Sequence, residues 1–231
     1  MIKTKTLLGF TLAEVLITLG IIGIVAAMTI PTLMTKFAKS RTETQLKTFY
    51  SKINQTVKMS IAENGDPEGW ITPNKSYAYK ENVEFLKTYF FPYMKNLGYY
   101  DCSGKHGVGA VCISLYDGGY MSFNIDKNGG DINYYINVNK DDVLNYHKDD
   151  IPIHNFQQHV FGFQFAKFNN SVNRETISEN YVEPYIFEWN GTREGLKNVF
   201  RGCTKGCQRL CLYCTKLIQM SDWKIPNDYP W

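Results

Sequence analysis

The fold is decided by the run Val15-Leu-Ile-Thr-Leu-Gly-Ile-Ile-Gly-Ile-Val-Ala-Ala-Met-Thr-Ile-Pro-Thr-Leu-Met34, in which all twenty side chains are apolar or small. At about 1.5 Å per residue, a helix of this length spans about 30 Å, the thickness of the hydrocarbon core of a bilayer. The run therefore predicts a membrane-spanning helix. Between Lys5 and Lys36 the one charged side chain is Glu14. Because a carboxylate in lipid is costly, Glu14 indicates a partner.

The residues before the apolar run form a specific pattern. A short leader that carries Lys3 and Lys5 ends at Gly9, and Phe10-Thr-Leu-Ala-Glu14 follows it. Pro31 then falls about two dozen residues into the remaining chain. This arrangement resembles the prepilin signal of type IV pilins and type II secretion pseudopilins.

The resemblance implies processing and assembly. A membrane-embedded prepilin peptidase would cut after Gly9, and Phe10 would become the N-terminal residue and be N-methylated. Glu14 would pair with the N-terminal amine of a neighbouring subunit in the filament. Pro31 removes one helical hydrogen bond and is expected to bend or loosen the helix. The implied partners are copies of the chain, other pilin-like subunits, the prepilin peptidase, an assembly platform in the inner membrane and the lipid bilayer.

An ordinary secretory signal peptide is the alternative for the same stretch. Lys3 and Lys5 would form its basic region, and Val25-Ala26-Ala27 would supply a small-residue cleavage site. Cleavage after Ala27 would release a secreted binding protein. Glu14 inside the apolar core argues against this alternative.

Beyond Pro31 the helix is expected to become amphipathic and to end near Gly65, because Gly65 suits a C-terminal cap and Pro67 bars continuation. Its apolar residues recur every three or four positions: Leu46, Phe49, Ile53 and Val57. The predicted segments are a leader (1–9), a transmembrane and assembly helix (10–34), its amphipathic extension (35–65) and a globular head with a Cys-rich tail (66–231).

Alternating apolar residues predict an antiparallel sheet in the head. The clearest pattern is a hairpin over 111–125, with its turn at Asp117-Gly118-Gly119. Further strands are predicted over 132–138, 161–165 and 185–189. The fold class is therefore α+β, with a long N-terminal helix packed on an antiparallel sheet, as in pilins.

Two other segments of the head have weaker patterns. Apolar residues over 81–97 share one helical face, and Pro92 is expected to interrupt or kink that helix. The segment 139–159 is polar and lacks a clear period, which predicts a loop.

The six cysteines predict disulfides, because a head outside the cytoplasmic membrane meets oxidising conditions and six is an even number. Cys102 would pair with Cys112, and the last four would pair in one of three ways. The alternative is a membrane-anchored metal-binding or iron–sulfur protein, because the spacing of the last three resembles a cluster motif and thiolates also suit zinc. These last four cysteines are Cys203, Cys207, Cys211 and Cys214.

The remaining polar patterns do not predict an enzyme. The four histidines are not placed beside a Ser or Cys nucleophile, and His154 and His159 near Asp149 are better explained by a solvated loop than by a metal. Asp126-x-Asn128 resembles the start of a calcium loop, but Gly130 stands where an oxygen ligand is expected, which favours a β-turn. We therefore predict no catalytic residues, no cofactor and no metal.

The net charge is +3, and removal of the leader with Lys3 and Lys5 would leave about +1, which is too balanced to predict a nucleic-acid partner. The sequence thus favours a structural subunit of a type II secretion pseudopilus or a type IV pilus, with a minor subunit as the preferred form. Such a protein would cross the bacterial inner (cytoplasmic) membrane once, with its head outside the cytoplasm, and would join a filament after assembly.

Overall fold

The computed structural model describes residues 9–73, 78–126, 129–165, 180–197, 201–207 and 211–231. Backbone contacts divide the chain into two compact units, residues 1–41 and residues 42–231. Helix α1 (Leu12–Asn64) contributes to both units, and every other described helix and strand belongs to the second. The second unit is called the head below.

In the first unit, α1 covers the whole apolar run. Pro31 lies inside the helix without ending it. On either side of the proline, the Thr29 hydroxyl donates to the Val25 carbonyl (2.9 Å) and the Thr35 hydroxyl donates to the Pro31 carbonyl (3.0 Å). Among the described residues, α1 is the one helix long and apolar enough to cross a membrane, and none of its apolar window is buried.

In the head, α1 is amphipathic, as predicted. Its buried apolar residues fall on one stripe, and the helix ends at Asn64 because Gly65 adopts a positive φ of 72°. The Gly65 N–H still donates to the Ile61 carbonyl at 2.9 Å, which closes the last turn. The buried apolar residues of the stripe are Leu46, Phe49, Ile53 and Val57.

The sheet of the head has six antiparallel strands, and their spatial order is their order in the chain. The strands are β1 (Gly98–Asp101), β2 (Val111–Ser114), β3 (Tyr120–Asp126), β4 (Gly129–Tyr135), β5 (Val160–Phe165) and β6 (Val182–Pro184). The β2–β3 hairpin confirms the clearest strand prediction, and the α+β fold class is confirmed with it.

One face of the sheet, called the inner face below, packs against α1 and α2 (Tyr79–Tyr89). The Phe49 ring of α1 stacks on Tyr134 of β4 with centroids 4.1 Å apart and an interplanar angle of 7°. Phe85 of α2 lies 6.0 Å from Phe123 of β3. Aromatic rings therefore contribute to the contact between the two layers.

The opposite face, called the outer face, is covered by α3 (Lys140–Asp149), by the loop 102–110 and by the C-terminal tail. The predicted loop over 139–159 is wrong, because this segment contains α3 and the short α4 (Phe156–His159). A capping box begins α3: the Asn139 side chain accepts from the Asp142 N–H, and Asp142 accepts from the Asn139 N–H.

Several other elements differ from the predictions. Strand β4 runs over Gly129–Tyr135 and not over 132–138. Helix α2 ends at Tyr89, before Pro92, instead of reaching residue 97. Strand β6 ends at Pro184, so the alternating aromatic residues at 185–189 form turns instead of a strand. Strand β1 was not predicted, because Gly98-Tyr-Tyr-Asp101 has no alternation of apolar and polar residues and is mostly exposed. A short helix near the C-terminus, α5 (Cys214–Gln219), completes the head.

Asn54 of α1 joins the helix to the edge of the sheet at β6. Its Oδ1 accepts from the Val182 N–H and its Nδ2 donates to the Val182 carbonyl, both at 2.9 Å. The Asn54 side chain is 5% exposed. It therefore takes the place of a neighbouring strand for one residue of β6.

We expect Asn54→Ala to destabilise the head by about 2–4 kcal/mol, because it leaves a buried N–H and a buried carbonyl without partners. The gain in helix propensity from alanine offsets only about 0.7 kcal/mol or less. The measurement is urea unfolding of the full chain in detergent, with tryptophan fluorescence as the signal that monitors unfolding.

Gln55→Ala is the matched control, because Gln55 is the next residue of the same helix and is exposed. It is expected to change stability by about 0.5 kcal/mol or less. Equal effects of the two substitutions would contradict the role of Asn54 at the sheet edge.

Candidate functional site

The first candidate site is the start of α1. Gly9, Phe10 and Thr11 precede the helix in exposed, non-helical backbone, and Phe10 is 90% exposed. From Leu12 to Phe37 large apolar side chains are exposed on all sides of the helix. A helix with such a surface needs lipid or other helices around it.

Glu14 has a partner within its own helix. Its Oε2 accepts from the Thr11 N–H and from the Thr11 hydroxyl, both at 2.8 Å, and the Glu14 N–H donates to the Thr11 Oγ1 at 3.3 Å. This is a capping box, in which the first and fourth residues satisfy each other's backbone N–H groups. This contact was not predicted, although the spacing Thr-x-x-Glu is its usual signature in a sequence.

The second candidate site is the set of cysteines. The bonds are Cys102–Cys112, Cys203–Cys214 and Cys207–Cys211, so all six cysteines are paired. The prediction of disulfides is confirmed, and the last four adopt one of the three possible pairings. Zinc and iron–sulfur clusters need thiolates, which these bonded sulfurs do not offer.

His147 lies at the centre of a buried polar network on the outer face. Its Nδ1 donates to the His106 carbonyl, because a carbonyl can only accept, and its Nε2 accepts from the Tyr135 hydroxyl at 2.8 Å. The Tyr135 hydroxyl also lies 3.2 Å from Ser122 Oγ. His147 is therefore neutral and carries its proton on Nδ1.

Burial has the largest effect on the pKa values of the two titratable side chains in this network. It lowers the pKa of His147 from 6.5 to about 4, against the smaller opposite effect of the His106 carbonyl. It also raises the pKa of Tyr135, which keeps the hydroxyl protonated as a donor. The loop 102–110 approaches His147 closely at Gly104, where a Cβ would clash with the His147 carbonyl oxygen.

His147 also lies beside the Cys102–Cys112 disulfide. Ligand atoms of these three residues are within 4.8 Å of one another, a spacing that would suit a metal. However, the two sulfurs are bonded to each other, and both ring nitrogens of His147 have hydrogen-bond partners. The donor set does not fit a metal ion in this state of the cysteines.

The side chains of the other three histidines lie apart from the Tyr135–His147 hydrogen bond. His106 Nε2 is paired with Asp150, and His159 Nδ1 donates to the Ile136 carbonyl at 2.9 Å. His154 is exposed. The glycine-rich turn after Asp126 includes residues 127 and 128, which lie outside the described residues.

A cavity of about 260 Å³ opens next to the His147 network, and it is called the outer-face cavity below. Its floor comes from β3 and β4 and includes Ser122 and Asn133. The loop 102–110 and α3 form one wall, and residues of the C-terminal part of the head, including Tyr185 and Leu212, form the other. The sequence alone did not predict this cavity, because its lining residues come from seven separate segments of the chain.

Comparison with known proteins gives one match. Residues 32–231 match the model of a family of unknown function, DUF6613. The matched region begins directly after Pro31 and contains the whole head. No curated protein and no solved structure matches the chain.

The depressed pKa of His147 predicts a loss of stability in acid. The unfolded chain takes up a proton near pH 6.5, whereas the folded chain takes it up only near pH 4. Stability is therefore expected to fall as the pH falls between these two values, by up to on the order of 3 kcal/mol from this residue. The measurement is urea unfolding of the full chain in detergent across this pH range.

His147→Asn removes the titration and keeps a donor near the position of Nδ1. We expect this variant to be less stable than the wild type at neutral pH but to lose much less stability in acid. His154→Asn, at an exposed histidine, is the matched control and should keep the pH dependence of the wild type. An unchanged pH dependence in His147→Asn would contradict the assignment.

Proposed function

The chain belongs to DUF6613, a family of unknown function, and we propose that it is a pilin-like structural subunit. In this proposal a prepilin peptidase removes residues 1–9, Phe10 is N-methylated, and the processed chain polymerises through α1. The filament is a type II secretion pseudopilus or a type IV pilus, in which this chain is a minor subunit. The partners are other pilin-like subunits, further copies of the chain and an inner-membrane assembly platform.

One observation carries the proposal. The Gly9–Phe10 bond lies in exposed, non-helical backbone directly before a capped helix whose large apolar side chains are all exposed as far as Phe37. A peptidase needs an extended, accessible bond. The helix that remains after cleavage keeps a surface that only lipid or other helices can cover.

The head supports an extracytoplasmic location. Three disulfides in a chain of 231 residues are typical of proteins that fold in an oxidising compartment. A single-pass arrangement in the bacterial inner membrane, with the head outside the cytoplasm, is consistent with these bonds. It is also consistent with one candidate spanning helix among the described residues.

A structural function is also supported by the polar groups of the head. His147, the most deeply buried histidine, uses both ring nitrogens in hydrogen bonds to Tyr135 and to a backbone carbonyl. It is therefore not placed to activate a nucleophile. We propose that the protein is not an enzyme.

The test is co-expression of the full chain with a prepilin peptidase, followed by intact mass and N-terminal sequencing of the membrane-bound product. The wild type is expected to begin at Phe10 and to carry one extra methyl group. Gly9→Val is expected to leave the chain uncut, because a branched side chain at the cleavage position blocks access to the bond.

Ala27→Leu is the matched control for the secreted alternative, because it alters only the possible signal-peptidase site. It should not change the product. A wild-type chain that begins at Met28, or one that stays intact beside an active peptidase, would overturn the proposal.

A further inference from the structure

A second cavity, of about 300 Å³, lies in the head between α1 and the turn that joins β2 to β3, and it is called the turn cavity below. Its lining comes from residues 49–59 of α1, residues 93–95 after α2 and residues 115–117 at the turn. Among the described residues, it shares no lining residue with the outer-face cavity. All of its lining belongs to the head, so the cavity does not depend on the position of the apolar part of α1.

The floor of the turn cavity is buried and apolar. Phe49 and Ile53 of α1 and Leu115 before the turn are all buried. The Thr56 hydroxyl, which also lies on this floor, donates to the Lys52 carbonyl at 3.0 Å, so its proton is already used within α1. The floor is therefore suited to an apolar group.

The sides of the turn cavity are apolar side chains that the head covers only in part. Met59 is 47% exposed and Tyr116 is 66% exposed, whereas Tyr93 and Met94 are half-buried. The Tyr116 side chain makes no hydrogen bond and no ring contact with the described residues. Methionine side chains adapt their shape and make favourable contacts with aromatic rings. The cavity can therefore adjust around a ring or a short apolar chain.

Two lysines give the lining an excess of positive charge. Lys52 and Lys95 are exposed, and neither ammonium group has a hydrogen-bond or ion-pair partner in the part of the chain that the structure describes. Asp117 is the one acidic residue of the described lining. Its Oδ1 accepts from the Gly119 N–H at 2.9 Å, and its Oδ2 accepts from the Tyr134 hydroxyl at 2.7 Å. Because both carboxylate oxygens have partners within the head, the two ammonium groups are left to attract an anion.

These features together define the ligand. An apolar floor with unpaired cations beside it suits a molecule that has one apolar group and one negative charge. The described lining has one more positive than negative charge, and a carboxylate carries a single charge at neutral pH, whereas a phosphate group carries nearly two. The volume lies at the lower end of the range for pockets of drug-sized molecules, about 300–1,000 Å³, so the apolar group is a single ring or a short chain.

We propose that the turn cavity binds a small amphipathic carboxylate. The apolar group of this ligand packs on Phe49, Ile53 and Leu115, and its carboxylate pairs with Lys52 and Lys95. This inference does not depend on prepilin processing or on filament assembly.

The test is saturation-transfer NMR on the full chain in phosphatidylcholine nanodiscs, because detergent monomers would compete for an apolar cavity. The probes are 3-phenylpropanoate and hexanoate. The amide of each probe keeps the apolar group without the charge, acetate keeps the charge without the apolar group, and empty nanodiscs measure uptake by the lipid. We expect at least one probe to bind with a Kd in the millimolar range, its amide to bind about tenfold more weakly, and acetate not to displace it.

Lys52→Gln and Lys95→Gln are each expected to weaken binding of that probe about threefold, and the double variant about tenfold, because each substitution removes one exposed ion pair with the ligand. Lys58→Gln is the matched control, because Lys58 is an exposed lysine of α1 outside the cavity lining. It makes the same change in charge and should leave the affinity unchanged. Near-UV circular dichroism verifies that each variant is folded, which is expected because the substituted side chains are exposed.

Three results would overturn the proposal. Neither carboxylate could bind more strongly to the loaded nanodiscs than to the empty ones. The amide of a probe could bind as tightly as the probe itself, or the double variant could bind as tightly as the wild type, and either result would indicate a purely apolar site. Finally, acetate at the same concentration could displace the probe, which would indicate a site for any small anion.

Discussion

The head depends on the contact between one stripe of α1 and the inner face of the sheet. Phe49 lies flat on Tyr134 and also contacts Phe163, whose ring centroid is 5.1 Å away. At the sheet edge, Asn54 completes the hydrogen bonds of Val182. Because the same helix fills the core and pairs with the last strand, the sheet has no complete hydrophobic layer without it. The amphipathic part of α1 is therefore part of the head's fold and not only a connection to the membrane.

The parts of this fold that follow from local patterns were predictable. The apolar run, the stripe from Leu46 to Val57 and the β2–β3 hairpin all have a clear period in the sequence. Helix α3 was missed because its polar residues hide a weak apolar stripe, although the capping residues Asn139 and Asp142 mark its start. The His147 network was not predictable, because its members come from segments that only the tertiary fold brings together. The aromatic residues at 185–189 alternate like a strand but form turns.

The start of α1 gives Glu14 two possible partners. Within the chain, its carboxylate accepts from Thr11 and closes the helix terminus. In the proposed filament, the amine of Phe10 on a neighbouring subunit would be a second partner, and the positive charge would compensate the carboxylate in lipid. The first partner needs only an acceptor oxygen, whereas the second needs a negative charge. The two functions of Glu14 can therefore be separated by one substitution.

The most direct measurement is photo-cross-linking of the processed chain in membranes, with a photoreactive amino acid in place of Ile22 on the exposed surface of α1. We expect the wild-type chain to give a ladder of cross-linked multimers. We expect the Glu14→Gln chain to lose this ladder, because glutamine keeps the capping acceptor but removes the charge. Both chains should still begin at Phe10. A ladder that persists in Glu14→Gln would show that the carboxylate acts only as a helix cap. A wild-type chain that forms no multimers would contradict assembly through α1.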